Sequence, residues 1–299
     1  MKHAGLDLGL VVAVHGRHCM VETPEGRRLI CHPRGKRSEV VVGDRVRWMP
    51  TSEAGDEGVV EHLEPRRNLL FRQDEWKTKS FAANVNQLLV LVAAVPTFSE
   101  SQLARALIAA EDAGIAARIV VNKADLPQFA AARQRLAPYE AMGVEVTAVA
   151  LKAEPQAAKQ TLDALTAGRT TLVLGPSGAG KSTLINLLVP GAQAQVGEVS
   201  AALNSGRHTT TSSQWYWLDA VRGAALIDTP GFQEFGLRQI GVQRLPELMP
   251  DLRVPARDCR FYNCTHRQEP GCGVRAAIER GEISASRYAI YLMLYEELA

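Results

Sequence analysis

The 299-residue chain has no apolar run long enough to cross a membrane. A spanning helix needs about 20 consecutive apolar residues, and the longest candidate, residues 88–95, has only the length of a strand. The amino terminus also lacks the basic-then-apolar layout and the small-residue cleavage site of a secretory signal. The expectation is a cytoplasmic protein with no membrane partner. Net charge is scarce too, at +2. The balance holds segment by segment, with 11 basic against 10 acidic side chains over 1–67, 14 against 14 over 68–235, and 9 against 8 over 236–299. The general basic excess that often marks a nucleic-acid binder is therefore missing. Only local clusters stand out, at Arg34/Lys36/Arg37, Arg66/Arg67 and Lys77/Lys79. Cysteines number five, too few for a disulfide scaffold in a chain of this length, yet Cys259, Cys264 and Cys272 fall within 14 residues. In a reducing compartment such clustering points to a metal.

The pattern along the chain changes twice. Residues 9–14, 19–22, 28–31, 40–42, 45–48 and 58–61 read as short strands, with turns at Glu25-Gly26 and Gly43-Asp44. Five or six short strands with tight turns suggest a small barrel over 1–67. An OB-fold and an SH3-like barrel both fit that periodicity. Cys19 and Cys31 fall on its strands as core residues. From residue 68 the texture becomes α/β. A continuous apolar run at 87–93 and further strands at 117–121 and 170–174 alternate with helical segments at 102–113, 130–142, 156–166 and 181–188. Further strands are expected at 145–149, 215–219 and 224–227. Such alternation predicts a three-layer fold over 68–235 around a parallel sheet. Residues 190–214 read as a long connection of the kind that is usually functional. After residue 236 come a Pro-rich stretch, the cysteine cluster and helices at 274–280 and 284–298, a small α-rich third domain over 236–299.

Three motifs carry chemistry. Gly175, Pro176, Ser177, Gly178, Ala179, Gly180, Lys181 and Ser182 fit G-x-x-x-x-G-K-[ST] between a strand and a helix, and Thr183 continues the helix. The glycines let backbone amides turn around phosphates, Lys181 reaches the outer phosphates, and the Ser182 hydroxyl suits Mg²⁺. Asn122-Lys123-Ala124-Asp125 follows another strand. A carboxylate at Asp125 accepts from the N1–H and amine of guanine, which adenine does not offer. Asn122 braces the loop and the Lys123 stem covers the base. Asp228-Thr229-Pro230-Gly231 follows a third strand, with Asp228 suited to the Mg²⁺ shell and the Gly231 amide to the γ-phosphate. The order of these motifs, at 122, 175 and 228, is a circular permutation of the usual one. The segment that follows a γ-phosphate sensor then leads straight into the third domain.

Between the second and third motifs lies Gly206-Arg207-His208-Thr209-Thr210-Thr211. One of the three threonines is expected to close over Mg²⁺ and the γ-phosphate, and Thr210 is assigned here. Phe232 stands where many GTPases orient water with Gln, so intrinsic hydrolysis is expected to be slow. His208 is the candidate catalytic replacement. Cys259, Cys264, His266 and Cys272 offer three thiolates and an imidazole, a set suited to tetrahedral structural Zn²⁺ with no open position.

Taken together, these motifs resemble the RsgA (YjeQ/YloQ) family of circularly permuted, small-subunit-dependent ribosomal GTPases. The resemblance covers nearly the whole chain. It implies an N-terminal OB-fold barrel, a central circularly permuted P-loop GTPase domain and a C-terminal α-rich zinc-binding domain. It further implies late maturation of the small ribosomal subunit near its decoding region, GTP hydrolysis stimulated by that subunit, and departure in the GDP state. rRNA, other assembly factors and GTP/GDP are the implied partners, and His208 falls on the family's proposed catalytic histidine. A monomer is the simplest expectation. Two stretches depart from the family pattern: Ala150-Leu151-Lys152 stands for a guanine-supporting Ser-Ala-Lys-type motif, and Asn84-Val85-Asn86 for Asn-Val-Asp. Ser177 stands where K⁺-dependent relatives often have Asn. An RNA-binding placeholder with incidental hydrolysis is the alternative from another class. An ATP-dependent small-molecule kinase fits poorly, because it leaves Asn122–Asp125 unexplained.

Overall fold

The structure, a computed structural model, describes residues 6–34, 40–51, 57–76, 78–192, 213–229 and 235–299. Alternating burial marks the first strands as the staves of a barrel. They are β1 (Asp7–His15), β2 (His18–Glu22), β3 (Arg28–Pro33), β4 (Arg45–Pro50) and β5 (Glu57–Leu63). The strand order β1-β2-β3-β5-β4 closes by pairing of β4 with β1, and β3 runs parallel to β5. This is the OB arrangement, so the SH3-like alternative falls away. Val11, Cys19, Val21, Leu29, Cys31, Val46 and Trp48 fill the interior. Burial pushes the Cys19 thiol up to about 12 and the Cys31 thiol up to about 11, so both stay protonated core residues at neutral pH.

One expected strand does not form. Residues 40–42 enter a turn, because the buried Asp44 carboxylate accepts from the Val41 amide at 2.8 Å and takes the backbone out of any ladder. Arg66 answers the same carboxylate through Nε and Nη2, at 2.7 and 2.8 Å.

The next element has no counterpart in the sequence reading. β6 (Leu69–Gln73) and β7 (Thr78–Ala83) make a separate antiparallel hairpin. Its charged turn hid the strands, but Leu70, Phe81, Ala82 and Ala83 are buried and anchor it.

β8 (Gln87–Ala93) is buried at every residue, the signature of a strand covered on both faces. Around it lie β9 (Ala116–Asn122), β10 (Glu145–Ala148), β11 (Thr170–Leu174), β12 (Gln214–Trp217) and β13 (Ala225–Asp228). The order is β10-β9-β8-β11-β13-β12, parallel except for β12. α1 (Glu100–Asp112), α2 (Phe129–Ala141), α3 (Pro155–Thr166) and α4 (Lys181–Leu188) cover the faces. The chain runs outward from β8 to β9 and β10, returns through α3 to β11, and then proceeds the other way to β13. β8 and β11 therefore flank a topological switch point, where open α/β sheets bind ligands beyond the strands' carboxyl ends. β12 also touches β1, through Ala13 and Gln214, so barrel and sheet are continuous.

A 3₁₀ turn (Val242–Leu248) and three helices follow: α5 (Pro250–Ala256), α6 (Gly273–Glu279) and α7 (Ala285–Leu298). Two buried arginines fasten them to the sheet domain. Arg105 of α1 donates to Glu297 of α7 and to the Phe235 carbonyl, and Arg287 forks onto Asp251 at 2.8 and 3.0 Å while lying over the Tyr139 ring. Among the described residues no helix is long and apolar enough to cross a membrane.

Candidate functional site

The ends of β9, β11 and β13 bring the three motifs together, and two side chains join them. Asn122, 3% exposed, donates from Nδ2 to the Ala179 carbonyl at 2.9 Å. Its Oδ1 accepts from the amides of Lys123 at 2.7 Å and Leu151 at 3.1 Å. One amide thus ties the Asn122–Asp125 loop to the phosphate loop and to residues 150–152. Ala150-Leu151-Lys152 is accordingly part of the same corner. Lys123 holds a left-handed φ of 64° and donates from Nζ to the Val95 carbonyl, which lays its stem along the loop. Burial, and then the neighbouring Lys152, push its ammonium below the usual lysine value, with Asp125 opposing. Asp125 is exposed and faces solvent at this corner.

The phosphate loop needs two of its glycines for space. A Cβ on Gly180, where φ is +105°, would sit 2.3 Å from Asn122 Nδ2. One on Gly175 would sit 2.6 Å from the Leu91 carbonyl. Gly180 caps α4, and its left-handed turn delivers Lys181 to the sheet end. Lys181 Nζ donates to Asp228 Oδ1 at 2.6 Å and to the Thr229 carbonyl. Asp228 is 3% exposed at the end of β13, beside Val173 of β11. Thr229, fully buried, donates its hydroxyl to the Val173 carbonyl at 3.0 Å and fixes where the chain leaves the strand. Thr229 carries no motif role by residue type alone; its place inside Asp228–Gly231 is the signal of its importance. Ser182 and Thr183 lie in the first turn of α4, half-buried. His208, Thr209, Thr210, Thr211, Gly231 and Phe232 lie outside the described residues.

Replacing Asn122 with Ala orphans the Ala179 carbonyl and the Lys123 and Leu151 amides. Each buried unsatisfied group costs about 1–3 kcal/mol. Because water reaches part of the corner, guanine nucleotide affinity is expected to fall about 10- to 100-fold. Titration with a fluorescent GDP measures this, and wild-type affinity would mean the loops hold their positions without Asn122.

The second candidate centre is in the C-terminal segment. The ligand atoms of Cys259, Cys264, His266 and Cys272 all lie within 4.8 Å of one another. Tetrahedral zinc, with Zn–S of about 2.3 Å and Zn–N of about 2.05 Å, requires sulfurs about 3.8 Å apart and S–N pairs about 3.6 Å apart. Here Cys259 Sγ and Cys272 Sγ are 3.9 Å apart, and His266 Nδ1 is 3.4 and 3.5 Å from them. The four residues fit such an ion. The Gly273 amide points at Cys259 Sγ and the Arg275 amide at Cys272 Sγ, hydrogen bonds that favour thiolates. Burial, together with the neighbouring Cys272 and Cys259, raises the Cys264 thiol, a cost that a bound cation would offset.

The surrounding loop is shaped by residues that the spacing did not reveal. The Glu269 carboxylate collects the Thr265 amide and hydroxyl and the Arg267 and Gln268 amides. Burial works against its charge, but those bonds, led by the Thr265 side chain, hold its carboxyl down to about 2. Tyr288 and Tyr291 of α7 donate to the carbonyls of His266 and Thr265, both at 2.8 Å.

Comparison with known proteins agrees with this geometry. The family model for the RsgA GTPase matches residues 63–238. The small ribosomal subunit biogenesis GTPase RsgA of Variovorax paradoxus (strain S110) is 60% identical over 296 residues, 97% of this chain and 92% of the relative. The protein of the same name from Bordetella pertussis is 51% identical over 293 residues, 97% and 96% of the two chains. Among solved structures, YjeQ from Thermotoga maritima superimposes with a TM-score of 0.76 at 29% identity, over 98% of each chain. YloQ, described as a circularly permuted GTPase, matches in fold with a TM-score of 0.71 at 24% identity, over 99% of this chain and 96% of that one. A closed five-stranded barrel, a sheet with its motifs in permuted order and a Cys₃His cluster thus coincide with a family match over more than half the sequence, and the chain belongs to the RsgA GTPase family.

Proposed function

We propose that this chain is a small ribosomal subunit biogenesis GTPase, acting late in assembly, whose hydrolysis is stimulated by the subunit and whose GDP state departs. The observation that carries the reading is the joining of the three permuted motifs by Asn122 and Lys181 at one end of the sheet. In this reading Asp125 accepts from guanine, and the amides from Gly175 to Thr183 cradle the phosphates. Lys181 leaves Asp228 for the outer phosphates of the incoming GTP. Phosphoryl transfer asks little covalent chemistry of a protein, so positioned charge does most of the work. Ser182, Thr210 and Asp228 would hold Mg²⁺, which would supply positive charge against the phosphate oxygens. The Gly231 amide meets the γ-phosphate, and His208 orients the attacking water.

The coupling route is short. Phe235, four residues beyond Gly231, stacks on Phe81 of the hairpin, with centroids 5.6 Å apart, and its carbonyl is held by Arg105. Leu237 pairs with Gln73 of β6. A γ-phosphate-dependent shift at Gly231 therefore pulls on the hairpin and on α7. We assign residues 1–67 and 236–299 to rRNA contact, chiefly with phosphate and shape, and 68–235 to the GTPase. The one structural zinc, at Cys259, Cys264, His266 and Cys272, holds 236–299 together. We further assign a cytoplasmic monomer that helps release other assembly factors.

The test is GTP turnover by the protein alone, with small subunits and with large subunits. Small subunits alone are expected to stimulate strongly, and His208→Ala is expected to keep GTP affinity while losing that stimulation. Stimulation by neither subunit, or by large subunits, removes the proposed partner. Undiminished turnover in His208→Ala removes the histidine.

A further inference from the structure

A cavity of about 600 Å³ lies between the barrel and the sheet, at the end opposite the phosphate loop. Asn86, Thr170 and Gly223, at the amino ends of β8, β11 and β13, form its floor, and Leu8 to Leu10 of β1 form the facing wall. Its size and its place between two domains are those of small-molecule sites, which measure roughly 300–1,000 Å³.

Its lining is selective. Trp215 and Trp217, on one face of β12, both line it, with ring centroids 5.1 Å apart in an edge contact. Trp215 is 5% exposed, and its indole N–H is buried with no hydrogen-bond partner among the described residues. An orphaned buried donor costs stability unless something accepts from it. Three guanidiniums, Arg45, Arg67 and Arg222, line the same space, against one carboxylate, Glu22. That carboxylate is committed: Arg28 holds Oε2 at 2.7 Å and the Trp217 indole N–H holds Oε1 at 2.7 Å. Arg222 is anchored on the Pro24 carbonyl at 3.0 Å and lies over the Trp217 ring at 5.9 Å. Arg67 is anchored on the Asn84 carbonyl at 2.7 Å. Arg45 is exposed, and its guanidinium has no partner among the described residues. The groups left open are thus an unpaired guanidinium and the aromatic surface beside it, while the Trp215 indole N–H is a buried, unpartnered donor that a shift of its ring would present. They call for a flat, acceptor-bearing ring and an anion. Indole surface stacks any base, and the guanidinium fork fits a phosphate.

We propose that this cavity is a second binding site, for a free mononucleotide-class ligand, with the ring at Trp215 and Trp217 and the phosphate at Arg45. It is distinct from the GTP site in position and in chemistry, since no Asp125 equivalent lines it to demand guanine. Its occupancy bears on strand β12, whose Gln214 pairs directly with Asp228.

The test uses the full chain saturated with GDP, so that the phosphate-loop site is filled. Adenosine and uridine 5′-monophosphates are titrated in, with ribose 5-phosphate as the ringless control, following tryptophan fluorescence and calorimetric heat. The expected result is one saturable site per chain, with a fluorescence change, tighter for at least one nucleotide than for ribose 5-phosphate. Loss of a charge-assisted phosphate contact in Arg45→Glu should weaken it about 10- to 100-fold, with GDP affinity unchanged. Trp217→Leu should weaken nucleotide but not ribose 5-phosphate binding, which a general loss of folding would not do. No saturation through the millimolar range, displacement of GDP by the nucleotides, or equal binding by both variants would overturn the proposal.

Discussion

Lys181→Ala is expected to lower subunit-stimulated GTP turnover at saturating GTP by about 10²–10³-fold, the scale of removing one preorganised donor from a developing oxyanion, about 2.7–4 kcal/mol. The same change has a second effect that a purely catalytic lysine would not produce. Lys181 and Asp228 form a pair at 2.6 Å with side chains 10% and 5% exposed. Truncating one partner leaves the other charge buried and alone, a loss of about 3–5 kcal/mol in nucleotide-free protein. For a folding unit of about 150–250 residues each kcal/mol moves Tm by roughly 2–4 °C, so a fall of about 10 °C is expected. Removing both charges separates the two effects. Lys181→Met combined with Asp228→Leu should restore most of the Tm, because an apolar pair of similar volume replaces a buried ion pair at little net cost. It should not restore turnover. Single-turnover hydrolysis and thermal unfolding measure the two arms. Wild-type turnover in Lys181→Ala would remove the lysine from the mechanism, and a Tm still depressed in the double variant would mean the loss came from packing.

The second large effect concerns the Cys₃His cluster. Protein prepared without chelator is expected to carry one zinc per chain. Cys272→Ser, or removal of the ion by a strong chelator, should melt the segment from α5 to α7. Structural zinc contributes on the order of 10–16 kcal/mol to small sites at neutral pH, as much as the whole stability of an ordinary domain, about 5–15 kcal/mol. Three features make Cys272 the sensitive position. It is 5% exposed, its Sγ caps α6 through the Arg275 amide, and it lies 3.9 Å from Cys259 Sγ. Hydrogen exchange should show lost protection over residues 250–299, while the strands of the sheet domain keep theirs and GDP still binds. The Arg105–Glu297 contact and the stacking of Arg287 on Tyr139 would carry part of the loss into α1 and α2. Metal analysis showing no zinc, or unchanged exchange in Cys272→Ser, would reduce the cluster to ordinary thiols.

Much of the architecture was legible in the chain. β8 announces itself as an almost unbroken apolar run, because a strand covered on both faces has no polar side to show, and the apolar cores of β9 and β11 follow the same rule. The alternating barrel strands, α1 to α4 and the final two helices were legible for the same reason: burial repeats with the period of the element. The misreadings have equally local causes. Residues 40–42 are apolar and buried like a strand, but Asp44 takes the Val41 amide and turns the chain. The β6–β7 hairpin carries Asp74, Glu75 and Trp76 at its turn, and its apolar anchors are too few to set a period. Val242–Leu248 and α5 both contain proline, which hides short helices from any periodic reading.

What the sequence by itself determined is which residue types stand where: a Gly-rich loop ending in Lys181 and Ser182, the acids Asp125 and Asp228 just after strands, and four side chains of metal-ligating type within 14 residues. These follow from residue type and short spacing, which a single strand end or loop translates directly into geometry. Only the tertiary structure decided which loops meet. Asn122 reaches Ala179 across 57 residues because β8 and β11 are neighbours and β9 lies just beyond. Lys181 reaches Asp228 across 47 because β13 lies on the other side of β11. The cavity behind Trp215 and Trp217 exists because β12 touches both the sheet and the barrel. The physical reason is the same in each case. Strand order is set by how the whole chain buries its apolar surface, and no short window of sequence holds that information.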